Sequence, residues 1–338
     1  MTMPASHSTP VENLADRVRG AIWGQLVGDA YCLGAHWIYD LEELERTFPG
    51  GVHGFEVPAA DHYHAGKAAG DPTHYGDAAL LLLQSVAERG QVDPQDFGRR
   101  FVARFGSPDY RGYLDHSMKD TLANAAMFER EHPGEAFGFQ HGGDDDQLAT
   151  VSRLAPVVAL AALCGTGQAE LLRQVEAVTR VTQNNERAVA YAKADALVLA
   201  ALLAGETVSA ALAAAGASIL QVAPQRAEEV RDRFRAAANA AALSVEAATA
   251  GFGQSCPLEH SFPSSVHGLS KHADSYPDAM HANAAAGGDN AGRAGMLGAW
   301  LGAHLGLNAI PAAWRERLTA HAQVEHSVEK LLAVSVAR

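Results

Sequence analysis

Helical periodicity runs through almost the whole chain, and it restricts the fold more than any other feature of the sequence. Apolar residues recur at three- and four-residue spacing in several long windows, and alanine, the best helix former, is abundant. The clearest windows are 13–32, 77–88, 94–105, 151–163, 169–181, 186–203, 208–214, 225–250 and 292–306. We find no alternating run of β-branched residues that would indicate a strand. The sequence therefore predicts an all-α fold.

The breaks between the helical windows predict a single domain. They fall at 49–67, 131–147, 251–260 and 308–311, and none shows the change of composition that marks a linker. We expect one compact multi-helix domain over residues 14–338, preceded by an extended or disordered segment at 1–13. A loop longer than about 15 residues inside a compact domain is often functional, which makes segment 49–67 a candidate.

Charge and cysteine content limit the class of partner. Lys and Arg number 26 against 39 Asp and Glu, so the formal charge is −13, which argues against binding to nucleic acid or anionic membranes. The three cysteines are far apart, which suits a reducing compartment. Residues 1–13 lack the apolar run of a signal peptide, and the longest apolar stretches are too short to span a bilayer. We therefore expect a cytoplasmic protein, monomeric or weakly self-associating.

The first segment with chemical potential is 24–40, where polar residues stand among small and apolar ones. Asp29 and His36 are seven residues apart, so on a helix they would share one face, two turns apart. Gly24 and Gly28 are unfavourable inside a helix unless another group approaches the backbone closely. The segment is either a site or a packing surface of small residues in which a neighbouring backbone satisfies Asp29.

The second segment, 70–77, leads into a predicted helix. Pro72 and Gly76 suit a tight turn, which places Asp77 in or just before the first helical turn. An aspartate there commonly caps the helix, and its second carboxylate oxygen stays free to bind a metal ion. Both roles remain open for Asp77.

The third segment, 287–293, has two glycines followed by Asp289 and Asn290 at the start of another predicted helix. Asp289 and Arg293 are four residues apart, which permits a salt bridge on the helix surface. Such a pair is usually structural, so this segment by itself is a weak functional signal.

In combination the three segments resemble the motifs of the ADP-ribosylglycohydrolase family, of the dinitrogenase-reductase-activating glycohydrolase type. Its members carry an early Gly-Asp-Ala helix with a later Glu, a Thr-Asp-Asp-Thr motif that opens a helix, and a Gly-Gly-Asp-Thr-Asp-Thr motif near the C-terminus. The matching stretches are 28–30, 75–78 and 287–292, and further matches at 149–156 and 181–185 include Arg153. The resemblance covers residues 14–306 in the same order and implies the helical fold of that family.

This chain departs from the family pattern at the metal ligands. In active relatives, carboxylates of these motifs bind two magnesium ions that hold the ribose hydroxyls of ADP-ribose. Here His36 stands in the place of the Glu, and Gly76 and Ala291 replace two of the Asp residues. The resemblance then implies a site for one divalent cation, with Asp77, Asp289 and His36 as its ligands, and it argues against a dinuclear centre. The first choice of ion is Mg²⁺, and the alternative is a borderline metal that accepts imidazole. The substituted motifs are similar to the J-crystallin and selenoprotein J branch.

The resemblance also implies a substrate class and a reaction. The ligand would be a ribose-containing, ADP-ribose-like small molecule or an ADP-ribosylated substrate, and the reaction would be hydrolysis of an N-glycosidic bond. Arg293 would either meet a phosphate or neutralise Asp289. The candidate catalytic residues are Asp29, His36 and Asp77, and the candidate substrate-binding residues are Tyr75, Asn290, Arg293 and Arg153.

Two functional hypotheses follow from the altered motifs. The first is a divergent family member that binds or hydrolyses such a ligand through a reduced metal site. The alternative is a non-catalytic structural or ligand-sensing member, comparable to the crystallins. The substituting residues are polar, as at His36, Tyr75 and Asn290, which favours retained binding. With so few carboxylates left, we expect little or no hydrolysis of ADP-ribosyl-arginine.

Overall fold

Sixteen α-helices follow one another through the residues that this computed structural model describes, 10–135 and 137–336, and no β-strand is formed there. Two short 3-10 turns, Leu33–Ala35 and Leu307–Ala309, follow the first and fourteenth helices. The prediction of an all-α fold is confirmed. The helices are α1 (Pro10–Cys32), α2 (Leu41–Thr47), α3 (His74–Arg89), α4 (Pro94–Phe105), α5 (His116–Glu131), α6 (Ala155–Leu163), α7 (Gln168–Thr182), α8 (Glu186–Leu203), α9 (Val208–Val222), α10 (Ala227–Asn239), α11 (Val245–Phe252), α12 (Leu258–Lys271), α13 (Tyr276–Ala285), α14 (Asn290–Leu305), α15 (Ala312–Arg317) and α16 (His321–Val336).

Helices α1 and α14 form the centre of the molecule and pack against each other through glycines. Gly20 lies opposite Gly302 and Gly24 opposite Gly298, so the two helices are antiparallel. A Cβ added to Gly24 would lie 2.9 Å from the Gly298 carbonyl carbon, closer than real Cβ atoms come to other atoms. The backbone approach that the sequence predicted for Gly24 is confirmed.

The remaining helices surround this pair and close a single compact domain. Every residue of α14 from 290 to 303 is buried, because α3, α8, α12 and α13 contact it around its circumference. Helix α1 in turn contacts α3, α6, α13 and α16. Within the described part of the chain, no helix combines the length and the apolar character that crossing a bilayer requires.

The antiparallel arrangement brings the three sequence motifs to one end of the molecule. The C-terminal end of α1 and the N-terminal end of α14 meet there, because the two helices run in opposite directions. The N-terminal end of α3 joins them, since the Tyr75 hydroxyl donates a hydrogen bond to Asp289 Oδ2 at 3.0 Å. Residues more than 200 positions apart in the sequence therefore share one site.

Several helix bounds differ from the prediction. The window 225–250 contains two helices, since α10 ends at Asn239 and Ser244 caps α11 by accepting a hydrogen bond from the Ala247 N–H. Helices α2, α5, α12, α13, α15 and α16 were not predicted, and Pro263 lies inside α12. Helix α1 already begins at Pro10, and the rest of the predicted N-terminal segment, residues 1–9, lies outside the described residues.

Candidate functional site

Asp29 joins the end of α1 to the start of α3. Its Oδ2 accepts a hydrogen bond from the Thr73 N–H at 2.7 Å, and its Oδ1 accepts one from the Thr73 hydroxyl. The Asp29 carboxylate fits here only because residue 76 is a glycine. A Cβ on Gly76 would lie 2.8 Å from the Asp29 carboxylate carbon. Both oxygens are therefore used by the protein, and Asp29 is only 2% exposed.

His36 does not share a helical face with Asp29, so that part of the sequence interpretation was wrong. Helix α1 ends at Cys32, a 3-10 turn covers 33–35, and His36 itself is extended with φ −65° and ψ 134°. Within this turn Gly34 lets residue 56 approach closely, because a side chain at 34 would lie 2.7 Å from the Glu56 Cβ. The turn directs the chain across the end of the helix pair, where His36 is fully buried.

Asp289 lies at the centre of the site. Its Oδ2 accepts hydrogen bonds from the Tyr75 hydroxyl at 3.0 Å and the Trp37 indole N–H at 3.2 Å. Its Oδ1 has no hydrogen-bond partner of normal geometry among the described residues and lies 3.9 Å from His36 Nε2. Burial raises the pKa of Asp289 to about 6, although the Trp37 hydrogen bond, the Arg293 charge, the Tyr75 hydrogen bond and the Gly292 backbone N–H oppose the shift.

Trp37 packs over His36 and Asp289, and its backbone conformation is strained. Its φ of 61° lies in the left-handed region, which is unusual for a bulky residue. The backbone is held there by a hydrogen bond from the Trp37 N–H to the Gly288 carbonyl at 2.8 Å. The ring stacks on His36, with centroids 4.2 Å apart, while its indole N–H faces Asp289. Strain of this kind is typical of functional sites.

Arg293 and Asn290 fix the loop before α14. The Arg293 guanidinium donates to Asn283 Oδ1, to the Gln254 carbonyl and to the Gly287 carbonyl at 3.1, 3.1 and 2.5 Å, and it is fully buried. The Asn290 amide donates to two backbone carbonyls, so its Oδ1 faces His36 Nδ1 at 3.4 Å. Arg293 is therefore placed to neutralise Asp289 rather than to meet a phosphate.

Three histidines form a buried cluster beside Asp289. His36, His64 and His74 each offer a ring nitrogen, and these atoms all lie within 4.8 Å of one another. The rings are 2% exposed or less, and five of their nitrogens have no hydrogen-bond partner among the described residues. Burial lowers the pKa of His64 to about 2 and of His74 to about 3, and it holds that of His36 well below its usual value. The three rings are therefore neutral at physiological pH.

Asp77 belongs to a separate hydrogen-bond network that opens to solvent. Its Oδ2 accepts hydrogen bonds from the Lys67 ammonium and the Tyr110 hydroxyl, each at 3.0 Å. Its N–H belongs to the first turn of α3, and the side chain that caps this helix is that of Thr73. Asp77 borders a cavity of about 470 Å³ with Lys67, Tyr110, Arg104 and Arg111 among its lining residues.

Arg153 takes no direct part in either network. Its guanidinium donates hydrogen bonds to the hydroxyls of Thr150 and Thr182 and lies over the Phe97 ring, 5.3 Å from the centroid. It is 1% exposed, and burial lowers its pKa to about 10. These contacts give Arg153 a structural role.

The carboxylates do not fit a pair of magnesium ions. Mg²⁺ takes near-octahedral oxygen ligands, yet Asp29 is used by Thr73, and one oxygen of Asp289 is used by Tyr75 and Trp37. At Asp77 the Lys67 ammonium already occupies a cation's position. The sequence predicted His36 and Asp77 as ligands of the same ion, but His36 contacts Asp289 and Asn290, whereas Asp77 contacts Lys67 and Tyr110.

Asp29 gives the stability of the protein a testable pH dependence. Burial raises its folded-state pKa from 3.8 to about 7, although the two hydrogen bonds from Thr73 oppose the shift. The folded state then binds the proton more tightly, so this contribution to stability is complete below pH 3.8 and is lost as the pH rises through 7. We expect Asp29→Asn to reduce the fall in unfolding free energy between pH 5 and 7 by up to about 1.4 kcal/mol per pH unit.

Denaturant unfolding monitored by circular dichroism at several pH values measures that slope. Asp61→Asn, at an exposed aspartate, is the control for the loss of a carboxylate. An Asp29→Asn protein with the same slope as the unmodified protein would contradict the assignment.

Residues that the sequence analysis did not select contribute much of this site. His64 and His74 lie on and after the long loop between α2 and α3, where a dense run of histidines was the available signal. Lys67 and Tyr110 could not be found from sequence spacing, because neither belongs to a matched motif. Trp37 follows His36 directly, but its left-handed backbone is visible only in three dimensions.

Two curated proteins and one solved structure are similar to this chain over most of its length. Crystallin J1A of Tripedalia cystophora is 26% identical over 323 residues, which cover 94% of this chain and 96% of that protein. Crystallin J1B of the same organism is 26% identical over 317 residues, covering 90% and 93% of the two chains. A solved chain from an ADP-ribosylglycohydrolase-related protein complex has a TM-score of 0.71 and 21% identity, and it covers 96% of this chain and 99% of its own. That likeness supports the fold alone.

The family assignment rests on the match along the sequence. The family model described as ADP-ribosylglycohydrolase matches residues 10–338, which include all three motifs at the junction of α1, α3 and α14. The chain therefore belongs to the ADP-ribosylglycohydrolase family.

Proposed function

We propose that the protein binds an ADP-ribose-like molecule in the cavity beside Asp77 and that it hydrolyses ADP-ribosyl-arginine weakly or not at all. One observation carries the proposal. Of the three motif carboxylates, Asp29 and Asp289 are 2% and 0% exposed, whereas Asp77 borders a cavity of about 470 Å³. This volume is in the range of small-molecule sites.

The lining of the cavity suits a ribose linked to phosphate. Asp77 can accept hydrogen bonds from ribose hydroxyls, and the exposed residues Arg104 and Arg111 can bind a diphosphate in a lining that also includes Asp71 and Asp109. Lys67 pairs with Asp77 at 3.0 Å, so its charge supports the carboxylate without a metal ion. We therefore expect binding that does not depend on magnesium.

The arginines provide the test. Calorimetric titration of ADP-ribose into the unmodified protein should show binding, and Arg104→Gln and Arg111→Gln should each weaken it about tenfold, because each removes a charge-assisted hydrogen bond. Arg99→Gln is the matched control, since Arg99 is exposed and lies outside the cavity lining. If Arg104→Gln and Arg111→Gln bound ADP-ribose as tightly as Arg99→Gln and the unmodified protein do, the proposed site would be refuted.

Catalysis is tested in the same preparation. With one motif carboxylate at the cavity, we expect little turnover of an ADP-ribosylated arginine peptide with or without Mg²⁺. Robust magnesium-dependent turnover by the unmodified protein would contradict the proposal.

A non-catalytic structural role is the second candidate. The protein's own donors occupy Asp29 and one oxygen of Asp289, which is the arrangement expected where a former ligand site has become part of the core. The similarity to crystallins J1A and J1B is compatible with this alternative. Absence of both ADP-ribose binding and turnover would favour it.

A further inference from the structure

We propose that His36, His64 and His74 bind a divalent transition-metal ion such as Zn²⁺, with Asp289 as the fourth ligand. This site is separate from the proposed ligand cavity beside Asp77, and it does not depend on ADP-ribose binding. Imidazole nitrogens suit borderline metals such as zinc, whereas Mg²⁺ prefers oxygen ligands.

The geometry of the three rings carries the proposal. One nitrogen from each ring lies within 4.8 Å of the other two, and the ring centroids are 5.5, 5.6 and 6.1 Å apart. Zinc binds nitrogen at about 2.0–2.1 Å, which places two ligand nitrogens about 3.4 Å apart in a tetrahedral site. The ligand nitrogens must therefore approach one another by up to about 1.4 Å around the ion. His64 lies on the loop between α2 and α3, so this residue can make most of the adjustment.

Unused hydrogen-bonding capacity is the second observation. His36 Nε2 and both ring nitrogens of His64 and of His74 are buried without hydrogen-bond partners among the described residues. A buried polar atom without a partner is costly, so an ordinary core histidine normally binds a backbone or side-chain group. Asp289 Oδ1 also lacks a hydrogen-bond partner of normal geometry among the described residues, and it lies 3.9 Å from His36 Nε2. A bound cation would satisfy atoms of all four residues.

The groups around the three histidines are of the kind that hydrogen-bond to the ligands of a metal ion and orient them. His36 Nδ1 lies 3.4 Å from both Asn290 Oδ1 and the Ala291 backbone nitrogen. A bound ion would take the Nε2 lone pair and select the tautomer in which Nδ1–H donates to Asn290 Oδ1, at the expense of the Ala291 contact. The Asp115 carboxylate lies 3.6 Å from His74 Nε2, where it can orient that ring. His62 donates to the His36 carbonyl and accepts from the His64 N–H, so it ties the loop to the end of the 3-10 turn.

Metal titration of the full-length protein tests the site. After treatment with a chelator, the unmodified protein should bind one Zn²⁺ by calorimetry, and a large excess of Mg²⁺ should not compete. His64→Gln and His74→Gln should each weaken Zn²⁺ binding at least about tenfold, because each removes one ligand. His326→Gln is the control, since this histidine is exposed and outside the cluster. Circular dichroism establishes that each variant is folded.

The Co²⁺ spectrum of the unmodified protein keeps the test decisive if a variant fails to fold. Four-coordinate Co²⁺ with nitrogen ligands absorbs strongly in the visible, whereas octahedral Co²⁺ absorbs weakly. Strong absorption that Zn²⁺ abolishes would support the site. Weak octahedral absorption, no Zn²⁺ binding by the folded protein, or unchanged Zn²⁺ affinity in His64→Gln and His74→Gln would each overturn the proposal.

Discussion

Replacing Gly302 by Ala is expected to lower the free energy of unfolding by about 3 kcal/mol. Gly302 packs directly on Gly20 across the α1–α14 interface, and an added Cβ would overlap the Gly20 carbonyl oxygen. The obstacle is backbone, which cannot rotate away as a side chain can. The two central helices would have to separate, and the contacts along their full length would weaken with them.

Denaturant unfolding followed by helical circular dichroism measures this loss, with Gly216→Ala as the matched control. Gly216 lies in α9, and its added Cβ would lie 3.8 Å from the Phe234 ring, an ordinary contact distance. There the same substitution should leave stability unchanged or raise it by up to about 1 kcal/mol through helix propensity. A Gly302→Ala protein as stable as Gly216→Ala would show that the central helices are not held at this spacing.

Replacing Arg293 by Met should cost about 3–5 kcal/mol of unfolding free energy. The substitution removes three hydrogen bonds, to Asn283, Gln254 and Gly287, and leaves those acceptors buried. It also removes the positive charge that lowers the pKa of Asp289. The unfolding free energy of Arg293→Lys should lie between those of the unmodified protein and Arg293→Met. An ammonium keeps the positive charge but cannot reach three acceptors as a planar guanidinium does.

Thermal and denaturant unfolding of these variants can be compared with Arg173→Met. Arg173 forms an exposed helical ion pair with Glu170, and such pairs contribute at most about 1 kcal/mol. If Arg293→Met lost no more stability than Arg173→Met, the assignment of Arg293 as the counter-charge and anchor of the α14 loop would be wrong.

The sequence predicted helix bounds best where interactions between residues close in the sequence determine them. Helix periodicity predicted α4 and α8 with their observed bounds, 94–105 and 186–203. Helices such as α12 were missed because serines and an internal proline obscure their apolar pattern, and packing against α10, α11 and α14 stabilises them instead. The division between α10 and α11 was missed because Ser244 is an inconspicuous cap among alanine-rich residues.

At the site, the sequence indicated which residues take part better than it indicated which groups each residue contacts. Asp29, His36, Asp77 and Asp289 were selected from the pattern of polar residues in three segments and from motif resemblance, but which groups they contact depends on side-chain packing. The 3-10 turn after Cys32 places His36 beside Asp289, and Lys67 from the long loop reaches Asp77. Neither pairing follows from spacing along the chain, because each joins elements set by the tertiary fold.

The contact between Gly76 and Asp29 affects the order in which substitutions can be accepted. A side chain at 76 would collide with the Asp29 carboxylate and with Pro72, whose Cβ would lie 2.7 Å away. Adding an acid at position 76 alone therefore breaks the link between α1 and α3 before it can supply a metal ligand. The Asp29 carboxylate and Pro72 would both have to move first, so the effect of an acid at 76 depends on its neighbours at 29 and 72 and is not additive with changes there.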